Sequence, residues 1–147
     1  MSIERLGPDD WRRFRAVRHA ALRSDPDAFA ASAHRWLDDL DVEPRWRERL
    51  EAVATYVACL DGTDVGTAGV SGDHELLGMW VARAARGTGV ADRLVEAVAR
   101  HAATGAPLHL RVMAGNAVGV RFYTRCGFVL TGPEPDAEGC LTMTRPR

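Results

Sequence analysis

The 147-residue chain contains no lysine and no glutamine, and all nineteen of its basic residues are arginine. The chain is also rich in alanine, which fits a coding bias, but the absence of lysine has a chemical consequence. No lysine is present to act as a base, to form a Schiff base or to bind a phosphate. Cysteine is scarce too. Cys59, Cys126 and Cys140 are odd in number, far apart and without a CxxC pair. That spacing removes a disulfide framework and a zinc site, and leaves small buried hydrophobes as their expected role. None has a histidine near it in sequence, which disfavours a nucleophilic cysteine. No apolar run reaches membrane-spanning length. The opening "MSIERLGPDDWRRF" lacks the apolar core of a signal peptide, so none is expected and the cytoplasm is the default location. A net charge of −1 gives no general reason to expect a nucleic-acid or membrane partner.

The rest of the composition, 46% hydrophobic and 27% charged, suits a globular α/β protein, with residues 1–147 forming one domain. "SIERL" is a short strand closed by Gly7-Pro8. Asp9 or Asp10 can cap a helix whose apolar face is Trp11, Phe14, Val17, Ala21 and Leu22. "SDPDAF" breaks it. Ala30 to Ala52 reads as two short helical pieces, with Pro44 at a first helical position. "ATYVACL" and "VGTAGV" flank "DGTD" as a hairpin. "ELLGMWV" follows as a strand in which Gly78 marks a bulge or a close backbone approach. Val90, Leu94, Val98 and His101 or Ala102 mark one face of a helix ending near "ATGAP". "LHLRV" is a strand, Asn116 to Arg125 a helix stopped by Gly127, and "FVL" and "CLTMTR" are two last strands. The order is β-α-α-β-β-β-α-β-α-β-β, without repeats or linkers.

The segment "RGTGVA" stands between the strand "ELLGMWV" and a helix starting near Gly89. Such a helix offers unpaired N–H groups and a partial positive charge at its start. Glycine at 87 and 89 lets a ligand approach them, and Arg86, with Arg83 beside it, adds full charge. Phosphate or pyrophosphate fits that chemistry. A Walker loop is excluded by the missing lysine. A dinucleotide fingerprint is excluded because Gly87-Thr88-Gly89-Val90-Ala91-Asp92 ends in an acid.

This stretch resembles the acetyl-CoA loop of the GNAT superfamily of N-acetyltransferases, [RQ]-x-x-G-x-[GA], in which Arg86, Gly89 and Ala91 fill the defined positions. "RVMAGNAVGVRFYTRCGF" is similar to the family's second hallmark, an Asn-containing turn followed by a helix with Phe-Tyr and a closing Gly-Phe. The two motifs stand roughly thirty residues apart in the family's order, and the order of elements resembles the family's across nearly the whole chain. Arg83 departs from it, at a position where many members carry proline. The resemblance implies a splayed, mixed and mostly antiparallel sheet of six to seven strands flanked by about four helices. Coenzyme A would wedge between "ELLGMWV" and "LHLRV". The backbone of Met79, Trp80 and Val81 would pair with the pantetheine arm. The N–H groups of Arg86, Gly87, Thr88, Gly89, Val90 and Ala91 would hold the pyrophosphate.

By the same resemblance, acetyl would pass from acetyl-CoA to a primary amine by direct attack. Tyr123 occupies the position of the tyrosine that protonates the departing thiolate, although it also suits plain packing beside Phe122. Asn116, the only asparagine, is a helix cap that would also touch the pantetheine arm. Glu75 begins the strand leading to the loop, where some members place the acid that takes the amine's proton; a surface carboxylate is the plain alternative. His74 has a suitable pKa for a base, but strand alternation points it away from the face of Glu75. His19, His34, His101 and His109 show no metal spacing and are expected to be solvated or capping, so no metal is called for. Trp36 and Trp46 suit core anchors better than a pocket, and Asp38, Asp39 and Asp41 suit a solvated face. A small or amino-acid-like amine is the first acceptor and a protein amine the second. A non-catalytic acyl-CoA-binding sensor is the alternative of another class. Dimers are common in the family, and a homodimer is compatible with it.

Overall fold

Seven strands and four α-helices are present among the residues that the computed structural model describes, 1–102, 106–132 and 134–146. In chain order they are β1 (Ser2–Leu6), α1 (Trp11–Ser24), α2 (Glu43–Ala52), β2 (Val53–Leu60), β3 (Thr63–Ser71), β4 (Glu75–Val81), α3 (Val90–His101), β5 (Leu108–Met113), α4 (Ala117–Arg125), β6 (Val129–Leu130) and β7 (Cys140–Arg145). Short 3-10 turns at Pro8–Asp10, Pro26–Ala28, Ala31–Leu37 and Arg83–Ala85 fill the connections. The expected order of elements holds, with one refinement. The first of the two helical pieces between Ala30 and Ala52 is a 3-10 turn, Ala31–Leu37. Residues 103–105, within the expected stop "ATGAP", lie outside the described residues.

The sheet runs β1-β2-β3-β4-β5-β7-β6, antiparallel at every step except β4–β5. Asp61 and Gly62, with φ of 51° and 79°, form the tight turn between β2 and β3 that "DGTD" implied. The parallel step decides the architecture. β4 and β5 pair only at Glu75–His109 and Leu76–Leu110, and pairing stops there. From Leu77 onward β4 keeps β3 on one edge, through Thr67–Trp80 and Gly66–Val81, and among the described residues has no strand on the other. A register shift against β3 between Thr67 and Gly69 leaves Ala68 opposite both Gly78 and Met79. Gly78 takes φ of 67° there, so the bulge expected at this glycine is present and turns the end of β4 away from β5.

Helices cover both faces. α3 lays Val90, Leu94, Val95 and Val98 on one face, against Ala58, Ala68, Leu76 and Leu110. α1 and α2 cover the other with Phe14, Val17, Ala21, Trp46 and Leu50, against Leu6, Val57 and Trp80. Trp46 is wholly buried, touches the rings of Phe14 and Trp36, and donates its indole N–H to Asp41 at 2.9 Å. Burial of a ring this size contributes roughly 4–6 kcal/mol of hydrophobic free energy.

Two expectations need correction. His19 is neither solvated nor capping: it is 5% exposed, bonds to the Trp36 carbonyl at 2.9 Å and packs on Trp46. Its place three residues before the buried Leu22 and five after the buried Phe14 brings it to the inner side of α1. Of the cysteines only Cys140 is buried, whereas Cys59 and Cys126 are partly exposed, each near the end of its strand or helix. Of the two residues expected as alternatives at the end of the α3 face, Ala102 is the buried one, and His101 is exposed beside Tyr56.

Candidate active site

The gap opened between β4 and β5 continues into a cleft of about 850 Å³. One wall is Met79, Trp80 and Val81. The floor is Ala85, Arg86, Gly87, Gly89 and Ala91. The far wall belongs to α4, through Asn116, Gly119, Phe122 and Tyr123. Nine of the expected site residues are thus brought to one cleft. Three are not among its lining. Thr88 turns its hydroxyl back to the Ala85 carbonyl. The Val90 side chain is in the core. Glu75 stands where β4 and β5 are still paired, behind the gap.

The loop has the conformation that its glycines permit. Gly87 and Gly89 have φ of 77° and 87°, and among the described residues no atom beyond their local chain lies within 4 Å of where a Cβ would be. Gly89 is the N-cap of α3, so the first N–H groups of that helix open onto the cleft floor. An anion reaching them meets backbone donors and the positive end of the helix dipole.

Arg86 is more constrained than its sequence context implied. It donates through Nε to the Val81 carbonyl at 3.0 Å and through Nη2 to Asp25 at 3.0 Å. Asp25, at the end of α1, also accepts from the Trp80 indole at 2.9 Å. Burial pushes the Asp25 carboxyl up, but the bonds from Trp80 and Arg86 outweigh it, so the group stays below its ordinary value. One carboxylate therefore ties α1, the β4 wall and the loop together. Sequence reasoning missed Asp25, although its place just past a helix end, ahead of a proline, marks a residue free to reach elsewhere.

Tyr123 is 9% exposed, packs edge-on to Phe122 and Phe128, and lines the cleft. Burial raises its phenol well above the ordinary tyrosine value, with Cys126 adding to the shift, so it remains protonated at neutral pH. Asn116 caps α4, its side-chain oxygen accepting from the Gly119 N–H at 3.0 Å. Arg121 and Arg125, one turn apart on the exposed side of α4, add positive charge to the rim.

The sequence profile of the acetyltransferase (GNAT) family matches residues 14–128, which include both the loop and the α4 wall. The chain belongs to the GNAT acetyltransferase family. GNAT structures share its fold throughout. A GCN5-related N-acetyltransferase from Rhodopseudomonas palustris superposes with a TM-score of 0.78 at 21% identity, over 99% of this chain and 95% of that one. The PaiA N-acetyltransferase from Thermoplasma acidophilum, solved with coenzyme A, gives 0.76 at 19% identity over 100% of both chains. YncA from Salmonella typhimurium, solved with acetyl-CoA, gives 0.73 at 18% identity over 99% and 93%. Among curated proteins none matches this chain. Among the described residues, no group of three or more His, Cys, Asp and Glu is placed to hold a metal ion, and no helix is long and apolar enough to cross a membrane.

Proposed function

We propose that this GNAT protein transfers acetyl from acetyl-CoA to the primary amine of a small or amino-acid-like acceptor, with residues 1–147 working as one domain. A single observation carries the reading. The open amides at the start of α3, the unpaired edge of β4 and the Tyr123 side chain all line one cleft, of a size suited to a nucleotide-bearing ligand.

The residues present fit such a donor. The N–H groups from Arg86 to Ala91 bind the pyrophosphate, while Arg121 and Arg125 attract the remaining phosphate charge. The free edge of β4 at Met79–Val81 pairs with the pantetheine amides as a neighbouring strand would. Asn116 caps α4, the helix that carries Tyr123, and its side chain reaches the pantetheine arm.

The acceptor nitrogen forms a bond to the acetyl carbon, and the carbon–sulfur bond breaks. Glu75, at the entry of β4, takes the ammonium proton through water so that the amine attacks neutral. Tyr123 donates to the departing sulfur and is reprotonated by the proton that the nitrogen sheds as the amide forms. A thiol has a pKa of roughly 8.5, below that of a buried phenol, so full proton transfer is uphill and the gain belongs at the low end for general acids, about 10²-fold. The test is a calorimetric titration with acetyl-CoA, followed by mass spectrometry of acceptors incubated with enzyme and donor. Saturable binding and an amine carrying a new acetyl group are expected. Binding without any acetylated amine contradicts the reading.

A further inference from the structure

Two arginines on the α1–α2 face each carry a buried nitrogen that no described residue satisfies. Arg18 is 5% exposed, in the middle of α1. Its Nη1 is buried without a hydrogen-bond partner among the described residues, as is Nε of Arg49 on α2. Both guanidinium groups stand against the same point of the sheet. A Cβ placed on Gly78 would lie 3.2 Å from Nη2 of Arg49 and 3.4 Å from Nη1 of Arg18. Gly78 is the bulge residue immediately before Met79, where the cleft begins. Each guanidinium has an aromatic ring nearby, Phe29 at 4.9 Å from Arg18 and Phe14 at 6.0 Å from Arg49. A ring covers a guanidinium face and satisfies none of its N–H edges.

Charge counting points the same way. Burial and the charge of Arg49 pull Arg18 down to about 9, while burial pulls Arg49 to about 10 and the Glu75 carboxylate pushes it back up. Two cations and one carboxylate leave one positive charge uncompensated. A buried cation without a counter-ion is costly in a folded protein, so such a group signals a ligand that supplies the anion.

We propose that Arg18 and Arg49 form the acceptor carboxylate site, so that the substrate is a primary amine carrying a carboxylate, an amino acid or a close analogue. The proposal rests on the acetyl-transfer reading and narrows its acceptor. A guanidinium pair presents N–H edges that match a carboxylate in two-pronged fashion. The bulge at Gly78 sets both guanidinium groups beside Met79, the first residue of the cleft wall, and its missing side chain lets them approach the strand backbone. Glu75, in electrostatic reach of Arg49, then lies on the side where the substrate's ammonium group must lose its proton.

The test compares each amino acid with its own amide, a pair alike in shape and differing by the carboxylate charge. Thiol release is measured with acetyl-CoA for wild type, Arg18→Met and Arg49→Met, and acetyl-CoA affinity is measured by calorimetry for all three. In the wild type, kcat/KM for the acid is expected to exceed that for the amide by about 10- to 100-fold, the worth of a charged hydrogen bond. Each variant should lose that preference while its acetyl-CoA affinity stays unchanged. Wild-type enzyme that acetylates amides as well as acids overturns the carboxylate site and leaves acetyl transfer standing. If no amine is acetylated, calorimetry of the same acids with the coenzyme A complex decides. Acids that bind while amides do not support the anion site and remove amine transfer. No binding by either overturns the site.

Discussion

Replacing Arg18 by methionine should make the protein more stable. A guanidinium pulled down to about 9 has its charged form disfavoured by roughly 5 kcal/mol, at about 1.4 kcal/mol per pH unit. The folded-state value is depressed for a cation, so this penalty is fully present below about pH 9. It is relieved as pH rises from there towards the unfolded value, because the unfolded chain holds the proton longer. Methionine keeps much of the apolar stem and removes the charge. It also removes the contact with Phe29, worth about 0.5–2 kcal/mol. Packing is not perfectly restored either, so a net gain of about 2–3 kcal/mol is expected at pH 7, within the range seen when buried ionic groups give way to hydrophobes. Urea denaturation should show a higher midpoint at unchanged slope, with Tm raised by roughly 5–10 °C. A loss of stability would refute the reasoning. It would mean that Arg18 is fully compensated inside the protein, and that its burial is no sign of a site kept at the expense of stability.

Other consequences are open to measurement. Tyr123→Phe should lower kcat by about 10- to 100-fold with acetyl-CoA affinity unchanged, read by steady-state kinetics beside calorimetry. Gly89→Ala places a side chain at φ of 87° and should cost about 1–2 kcal/mol in denaturation as well as weakening acetyl-CoA binding. Arg86→Ala should weaken acetyl-CoA binding while leaving the fold intact; unchanged affinity would remove the loop assignment. The Asp41 carboxyl is held at about 2 by Arg15, with Trp46 helping, so its contribution of about 2 kcal/mol is present above its unfolded value near 4 and lost as pH falls through 2. Asp41→Asn should therefore be less stable than wild type at pH 7 and lose less between pH 4 and pH 2.

The strands were legible because alternation and turn chemistry agree locally. "SIERL", "ELLGMWV" and "CLTMTR" match β1, β4 and β7 residue for residue. The loop was legible because two glycines between a strand and a helix leave few alternatives, and both do adopt positive φ. What escaped was polar and buried. Arg18 stands four residues after Phe14 and four before Leu22, squarely on the apolar face of α1, yet composition assigns arginine to solvent. Arg49, three residues after Trp46, was overlooked for the same reason. His19 was hidden similarly. Asp25 was invisible because its partners, Trp80 and Arg86, are over fifty residues away and meet it only after β4 has taken its place in the sheet.

The most direct measurement is coenzyme A thiol release from acetyl-CoA, followed with and without amines drawn from amino acids, polyamines, aminoglycosides and N-terminal peptides. Release that depends on an amine, saturates with it and falls in Tyr123→Phe is the expected result. Thiol release no faster with any amine than without one, from protein that binds acetyl-CoA, would contradict acetyl transfer to an amine as the activity of this cleft.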